Sequence, residues 1–154
     1  MKKEDITVRL AEKEDISAMY RVEKRTFANP WAYESFAENV RHGLTVYFLA
    51  ELEGEVVGFG GMMIVVDEAH VMNIAVLEQH RRQGIGRALV QALANEAQRR
   101  GAVAVFLEVR IGNTAARTLY EDEGFQEIAI RKQYYTDNLE DAVIMRLNLS
   151  NFSA

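Results

Sequence analysis

Within residues 71–101 the spacing of apolar side chains changes from one period to another, and this switch constrains the architecture more than any other feature of the chain. Val71-Met72-Asn73-Ile74-Ala75-Val76 is an apolar run of strand length, whereas from Gly86 onward Leu89, Leu93 and Ala97 recur at helical spacing. Arg99 and Arg100 suit the negative end of the helix dipole, and Gly101 supplies a stop. Between strand and helix lies Arg81-Arg82-Gln83-Gly84-Ile85-Gly86-Arg87-Ala88. A chain entering a helix here presents N–H groups that have no acceptor inside the helix, and the dipole adds positive potential, so an anion is favoured. Gly84 and Gly86 leave room for the backbone to approach a pyrophosphate. A basic turn that only caps a helix would read the same way. There is no Gly-Lys-Ser/Thr for a nucleoside triphosphate, and no third glycine followed by a ribose-binding acid. Nucleotide hydrolysis and dinucleotide redox chemistry both lose ground.

The remaining segments fit around this unit. Thr7–Leu10 is a short strand, and Ile16, Met19, Tyr20 and Phe27 give residues 14–27 an amphipathic helix that Asn29-Pro30 ends. A second helix is predicted over Tyr33–Val40, and Thr45–Leu52 with Glu55–Val66 form a hairpin about Glu53-Gly54. Val103–Val109 is a strand, Asn113 caps a helix over Thr114–Glu123 that stops at Gly124, and strands follow at Phe125–Ile130 and Ala142–Leu149. This order predicts an α/β chain with a mixed sheet and helices on both faces, in which crossover helices make neighbouring strands parallel. With 154 residues, 49% hydrophobic, the chain can bury one substantial core, so a single domain over residues 1–150 with a tail at 151–154 is expected.

Composition removes several function classes. A net charge of -5 argues against a nucleic-acid partner, although Arg81, Arg82 and Arg87 can still grip one anionic ligand. The absence of cysteine excludes disulfides, thiolate metal sites and an acetyl-cysteine intermediate. His42, His70 and His80 have no metal-ligand spacing, so no metal is expected. Met1–Asp5 lacks the apolar run of a leader, and no stretch approaches the roughly 18 apolar residues needed to span a bilayer. A cytoplasmic protein with no membrane partner is the expectation.

Two residues carry candidate proton chemistry. Strand alternation puts Glu108 on the face of Ala104 and Phe106, at the carboxyl end of an expected parallel strand, where ligands bind in open α/β sheets. Partial desolvation there would make it a better general base. An ion pair with Arg110 or Arg131 is the competing reading. Tyr120 lies twelve residues on, in the helix after Asn113. A phenol of pKa about 10 can protonate a departing thiolate whose acid has pKa about 8.5, or it can be core packing only.

Taken together, Asn73-Ile74-Ala75-Val76, Arg82-Gln83-Gly84-Ile85-Gly86-Arg87, Leu107-Glu108-Val109-Arg110, Asn113, and Leu119-Tyr120 through Gly124-Phe125 resemble the GNAT acetyltransferase superfamily. More narrowly they resemble the bacterial ribosomal-protein-alanine N-acetyltransferases, a likeness that extends to Asn29-Pro30-Trp31, Arg131, Tyr134-Tyr135, Glu140-Asp141-Ala142 and Met145 and so covers nearly the whole chain. The resemblance implies an acyl-CoA N-acyltransferase fold, with a mostly antiparallel sheet, one splayed parallel pair and helices on both faces. It implies acetyl-CoA as cosubstrate, received by backbone at Ile74, Ala75 and Val76, with Arg82, Gln83, Gly84, Ile85, Gly86 and Arg87 on the pyrophosphate and Asn113 as a further contact. Glu108 would be the base and Tyr120 the acid. Trp31, Tyr134, Tyr135 and Asp141 would border the channel for the acceptor, the N-terminal alanine of a small-subunit ribosomal protein. The three aromatic residues read equally as packing or rim residues. Leu77-Glu78-Gln79-His80 and Ile111-Gly112 depart from the family pattern.

Direct transfer follows from this assignment: the amine loses a proton to Glu108, directly or through water, and attacks the thioester, while Tyr120 protonates the thiolate. An α-amine of pKa about 8 is partly neutral near neutrality, whereas a lysine amine of about 10.4 is almost wholly charged. A peptide N-terminus is therefore the easier nucleophile. A transferase acting on a small amine and a non-catalytic acyl-CoA-sensing module are the alternatives.

Overall fold

A computed structural model describes residues 6–27, 30–43 and 45–151. The expectations for Met1–Asp5, for Asn29 and for the tail beyond residue 151 lie outside the described residues. The chain forms β1 (Ile6–Leu10), α1 (Ile16–Thr26), α2 (Tyr33–His42), β2 (Thr45–Leu52), β3 (Glu55–Val65), β4 (Glu68–Val76), α3 (Ile85–Arg99), β5 (Ala104–Arg110), α4 (Thr114–Asp122), β6 (Gln126–Arg131) and β7 (Ala142–Asn148). The strands follow the order β1-β2-β3-β4-β5-β7-β6 in one mixed sheet. It is mostly antiparallel, and the parallel pair is β4 with β5, joined over Glu68↔Ala104, Ala69↔Val105 and His70↔Phe106.

The expected elements are present, with boundary shifts that have local causes. Helix α1 starts at Ile16 rather than Glu14, because a single 3-10 turn over Lys13–Asp15 precedes it. In that turn the Asp15 carboxylate accepts from the Glu12 N–H at 2.8 Å and takes both Nη groups of Arg9 at 2.9 Å. Helix α2 runs two residues beyond Val40, with Arg41 and His42 both bonded to Glu38, and ends at left-handed Gly43. Strand β4 begins at Glu68, ahead of the apolar run, since Glu68 and His70 alternate outward around buried Ala69. Among the described residues no helix is long and apolar enough to cross a membrane.

The residues cluster into two compact units. The first comprises the chain up to Met63 together with Met72–Leu93, and the second Ile64–Val71 with the chain from Ala94 onward. The first unit's core gathers Ile16, Met19 and Val22 of α1, Phe36 of α2, and Tyr47, Leu49, Phe59, Ile85 and Leu89. Phe36 lies 5.6 Å from Phe59, edge to face, and 5.8 Å from Tyr47. Each such aromatic side chain contributes about 1.5–3 kcal/mol by burial. In the second unit, Val105, Leu107 and Val109 of β5 and Val143, Met145 and Leu147 of β7 are buried at alternating positions. Edge strand β6 is exposed along its whole length.

Candidate active site

In the first unit, β4 delivers Ile74, Ala75 and Val76 to the start of the basic loop. Ala75 is buried, and β3 approaches it so closely that a Cβ on Gly58 would stand 2.8 Å from the Ala75 carbonyl oxygen. The departing Leu77-Glu78-Gln79-His80 segment makes a 3-10 turn, and Arg81 Nε donates back to the Val76 carbonyl at 3.2 Å. The loop then passes through left-handed Arg82 (φ 64) and Gly84 (φ 83). Gly84 accepts from the Ala88 N–H at 3.0 Å, the first bond of α3, so the preceding donors of that 15-residue helix have no acceptor within it. A Cβ on Gly84 would meet nothing within 4 Å. Open space beside N–H donors that have no acceptor within the helix fits a pyrophosphate. Ile85 is buried, which leaves its backbone, not its side chain, for a ligand. Arg82 is exposed, and Gln83, Gly86 and Arg87 are half-buried.

In the second unit, Glu108 departs from expectation. It lies on the face of Ala104 and Phe106, where the residue is exposed while its side chain keeps 35% of its surface open. The buried face of β5 is the opposite one, carrying Val105, Leu107 and Val109. Of the two arginines weighed as its counter-ion, Arg131 forms a long ion pair with it at 3.8 Å, and Arg110 turns instead to Asp137 and Glu140. What Glu108 does hold is the Tyr134 hydroxyl, which donates to its Oε1 at 3.0 Å. That bond, then burial and the carboxylate's charge, pushes the Tyr134 phenol up. Tyr120, on α4, is half-buried against Phe125, and burial, with a smaller contribution from Tyr135, pushes its phenol up to about 12. Asn113 Oδ1 accepts from the Ala116 N–H at 3.2 Å, as a cap, and its amide N–H groups are the donors it can offer a ligand. Asp141 accepts from the Gln133 N–H at 2.8 Å and so braces the β6–β7 connection that carries Tyr134 and Tyr135.

Sequence reasoning missed Glu23. It is 2% exposed in α1 and accepts from the Trp31 N–H at 3.0 Å and from Asn73 Nδ2 at 3.1 Å. Burial pushes its carboxyl up, and the two hydrogen bonds oppose this. The Asn73 Oδ1 is buried without a hydrogen-bond partner. The signal was available, since Glu23 stands four residues after Met19 and seven after Ile16, on the apolar stripe. Trp31 packs against Phe36 at 5.6 Å and, with Ser35, Glu38, Asn39 and Met72, lines an open hollow of about 420 Å³. Among the described residues no group of three or more His, Asp or Glu side chains could hold a metal ion.

Comparison with known proteins agrees with these features. Residues 14–125 match the acetyltransferase (GNAT) family. Over 146 residues the chain is 42% identical to the [ribosomal protein bS18]-alanine N-acetyltransferase of Escherichia coli (strain K12), covering 94% of this chain and 98% of that protein. It is 34% identical over 157 residues to an N-alpha-acetyltransferase of Sulfurisphaera tokodaii, covering 94% and 93%. The crystal structure of the ribosomal-protein-S18-alanine N-acetyltransferase from Escherichia coli is similar to it with a TM-score of 0.86 at 40% identity, covering 97% of this chain and 96% of that one. The matched span runs from the first helix through the basic loop and Glu108 to the end of α4, and with 42% identity to the Escherichia coli relative over nearly the full length of both chains it leads to one assignment: the chain belongs to the GNAT acetyltransferase family.

Proposed function

We propose that this chain acetylates the N-terminal alanine of a small-subunit ribosomal protein, drawing the acetyl group from acetyl-CoA. The observation that carries the chemistry is an accessible carboxylate, Glu108, in the same unit as a phenol, Tyr120, that burial pushes up to about 12. The acceptor class rests on the 42% identity to an alanine N-acetyltransferase over nearly the full length of both chains.

Acetyl-CoA supplies an activated thioester. The chain's residues divide the remaining work. The loop Arg82–Arg87 and the first donors of α3 hold the pyrophosphate, with an Asn113 amide N–H as a further contact. Backbone groups at Ile74–Val76 receive the pantetheine arm and the acetyl carbonyl, where N–H donors stabilise the oxygen that gains charge. Glu108 takes a proton from the peptide amine as the new N–C bond forms. Tyr120 gives its proton to sulfur as the C–S bond breaks, and both groups return to their starting states through solvent. Trp31, Tyr134, Tyr135 and Asp141 border the acceptor peptide.

The test is product identity. Incubated with acetyl-CoA, a peptide beginning with alanine should gain one acetyl group on its α-amine, and a polyamine supplied at equal concentration should not. Preferential acetylation of the polyamine would overturn the assignment.

A further inference from the structure

We infer that Arg110 is a positioning residue, a clasp that fixes the β6–β7 connection so that Tyr134 stays on Glu108. The inference rests on the proposed role of Glu108 and adds a residue that acts through others. Arg110 and Glu108 are two positions apart on β5, hence on one face of the strand. From there the Arg110 guanidinium reaches the connection at four points. Nη1 donates to Asp137 Oδ1 and Asn138 Oδ1 at 3.2 Å and to Glu140 Oε1 at 3.3 Å, and Nη2 donates to Asp137 Oδ2 at 2.9 Å. Its plane also covers Tyr135, with Cζ 4.0 Å from the ring centroid.

The clasp continues to the reacting carboxylate. Tyr135 meets Tyr134 edge to face, with centroids 5.1 Å apart, and the Tyr134 hydroxyl donates to Glu108. The connection is also closed on itself, because the Tyr135 N–H donates to the Glu140 carbonyl and the Leu139 N–H to the Tyr135 carbonyl. Glu140 Oε2 takes the Gly112 N–H at 2.8 Å, tying the same segment to the turn after β5. Removing Arg110 would leave Asp137 and Glu140 without their shared cation. A lysine could keep the charge but neither the fork nor the stacked plane.

The experiment compares Arg110→Met and Arg110→Lys, each with and without Tyr134→Phe. The expected result for Arg110→Met is a rise in the acceptor-peptide KM of about 10- to 100-fold, with the acetyl-CoA KM within about twofold of wild type. Arg110→Lys should fall between. If Arg110 acts through Tyr134, adding Tyr134→Phe to Arg110→Met should cost little more than Arg110→Met alone. Multiplicative effects would overturn that route, and an unchanged acceptor KM would overturn the positioning role. Tryptic cleavage after exposed Lys132 gives a readout independent of turnover, and it should be faster in Arg110→Met. Equal cleavage rates would overturn the clasp whatever the kinetics. Faster cleavage in a protein that never acetylates peptide would keep the clasp and overturn the proposed acceptor instead.

Discussion

Tyr134 donates its hydroxyl hydrogen to Glu108 Oε1 across 3.0 Å, so one oxygen of the candidate base is already occupied, and the other, Oε2, faces Arg131 at 3.8 Å. Tyr134→Phe removes that donor and leaves the ring. We expect kcat/KM for the peptide to fall roughly tenfold, equivalent to about 1.4 kcal/mol, with little change in the unfolding midpoint because Tyr134 is exposed. Steady-state kinetics beside a thermal melt check this. Unchanged kcat/KM would mean that the bond does not serve the reaction.

Tyr120 is held protonated well past neutrality. Its phenol is pushed up to about 12, so no loss of proton-donor function should appear in kcat below about pH 10. Tyr120→Phe should lower kcat by about 10²- to 10⁴-fold across that range. A kcat profile from pH 7 to 10 distinguishes the acid from a packing residue, for which the substitution would leave kcat nearly intact.

Gly84 tests the cradle. At φ 83 it occupies the left-handed region, where a side chain strains the backbone, and a Cβ there meets nothing within 4 Å. Gly84→Val should therefore destabilise the fold by only about 1–2 kcal/mol while filling the space over the donors of α3. Calorimetry should show acetyl-CoA binding lost in a folded protein. Wild-type affinity would remove the loop from the site.

Glu23 gives a pH-dependent prediction. Because burial raises its folded pKa, the unfolded chain ionises first as pH climbs from about 4.3, and the folded state loses stability until its own carboxyl ionises. Below that window both states are protonated and the loss is absent. Glu23→Gln removes the effect, so the stability of the variant relative to wild type should grow as pH rises above about 4.5 in denaturant titrations. A gap that stays constant or shrinks would contradict a buried, ionising Glu23.

Much of the fold was legible because its signals are local. Strand β2 has the expected bounds, set by a run of β-branched and aromatic residues and the Glu53-Gly54 turn, and Asn113 caps α4 through a bond three residues away. The loop from β4 into α3 announced itself by its change of period. The exposure of Glu108 was not legible. Strand alternation fixed which face it occupies, but nothing nearby in sequence told that this face is open at Glu108. Its partner Tyr134 lies 26 residues away, on a connection held by Arg110 across 27 to 30 residues. In the sequence Arg110 reads only as a counter-ion for Glu108, because the acidic groups it serves are distant along the chain.

α-Amine acetylation is tested by coenzyme A release from acetyl-CoA with an alanine-starting peptide taken from the ribosomal protein, run beside the same peptide with its N-terminus blocked. Release is expected with the free N-terminus and not with the blocked peptide, and Glu108→Gln should lose it. Equal release from both peptides, or none from either in a protein that binds acetyl-CoA, would contradict α-amine acetylation.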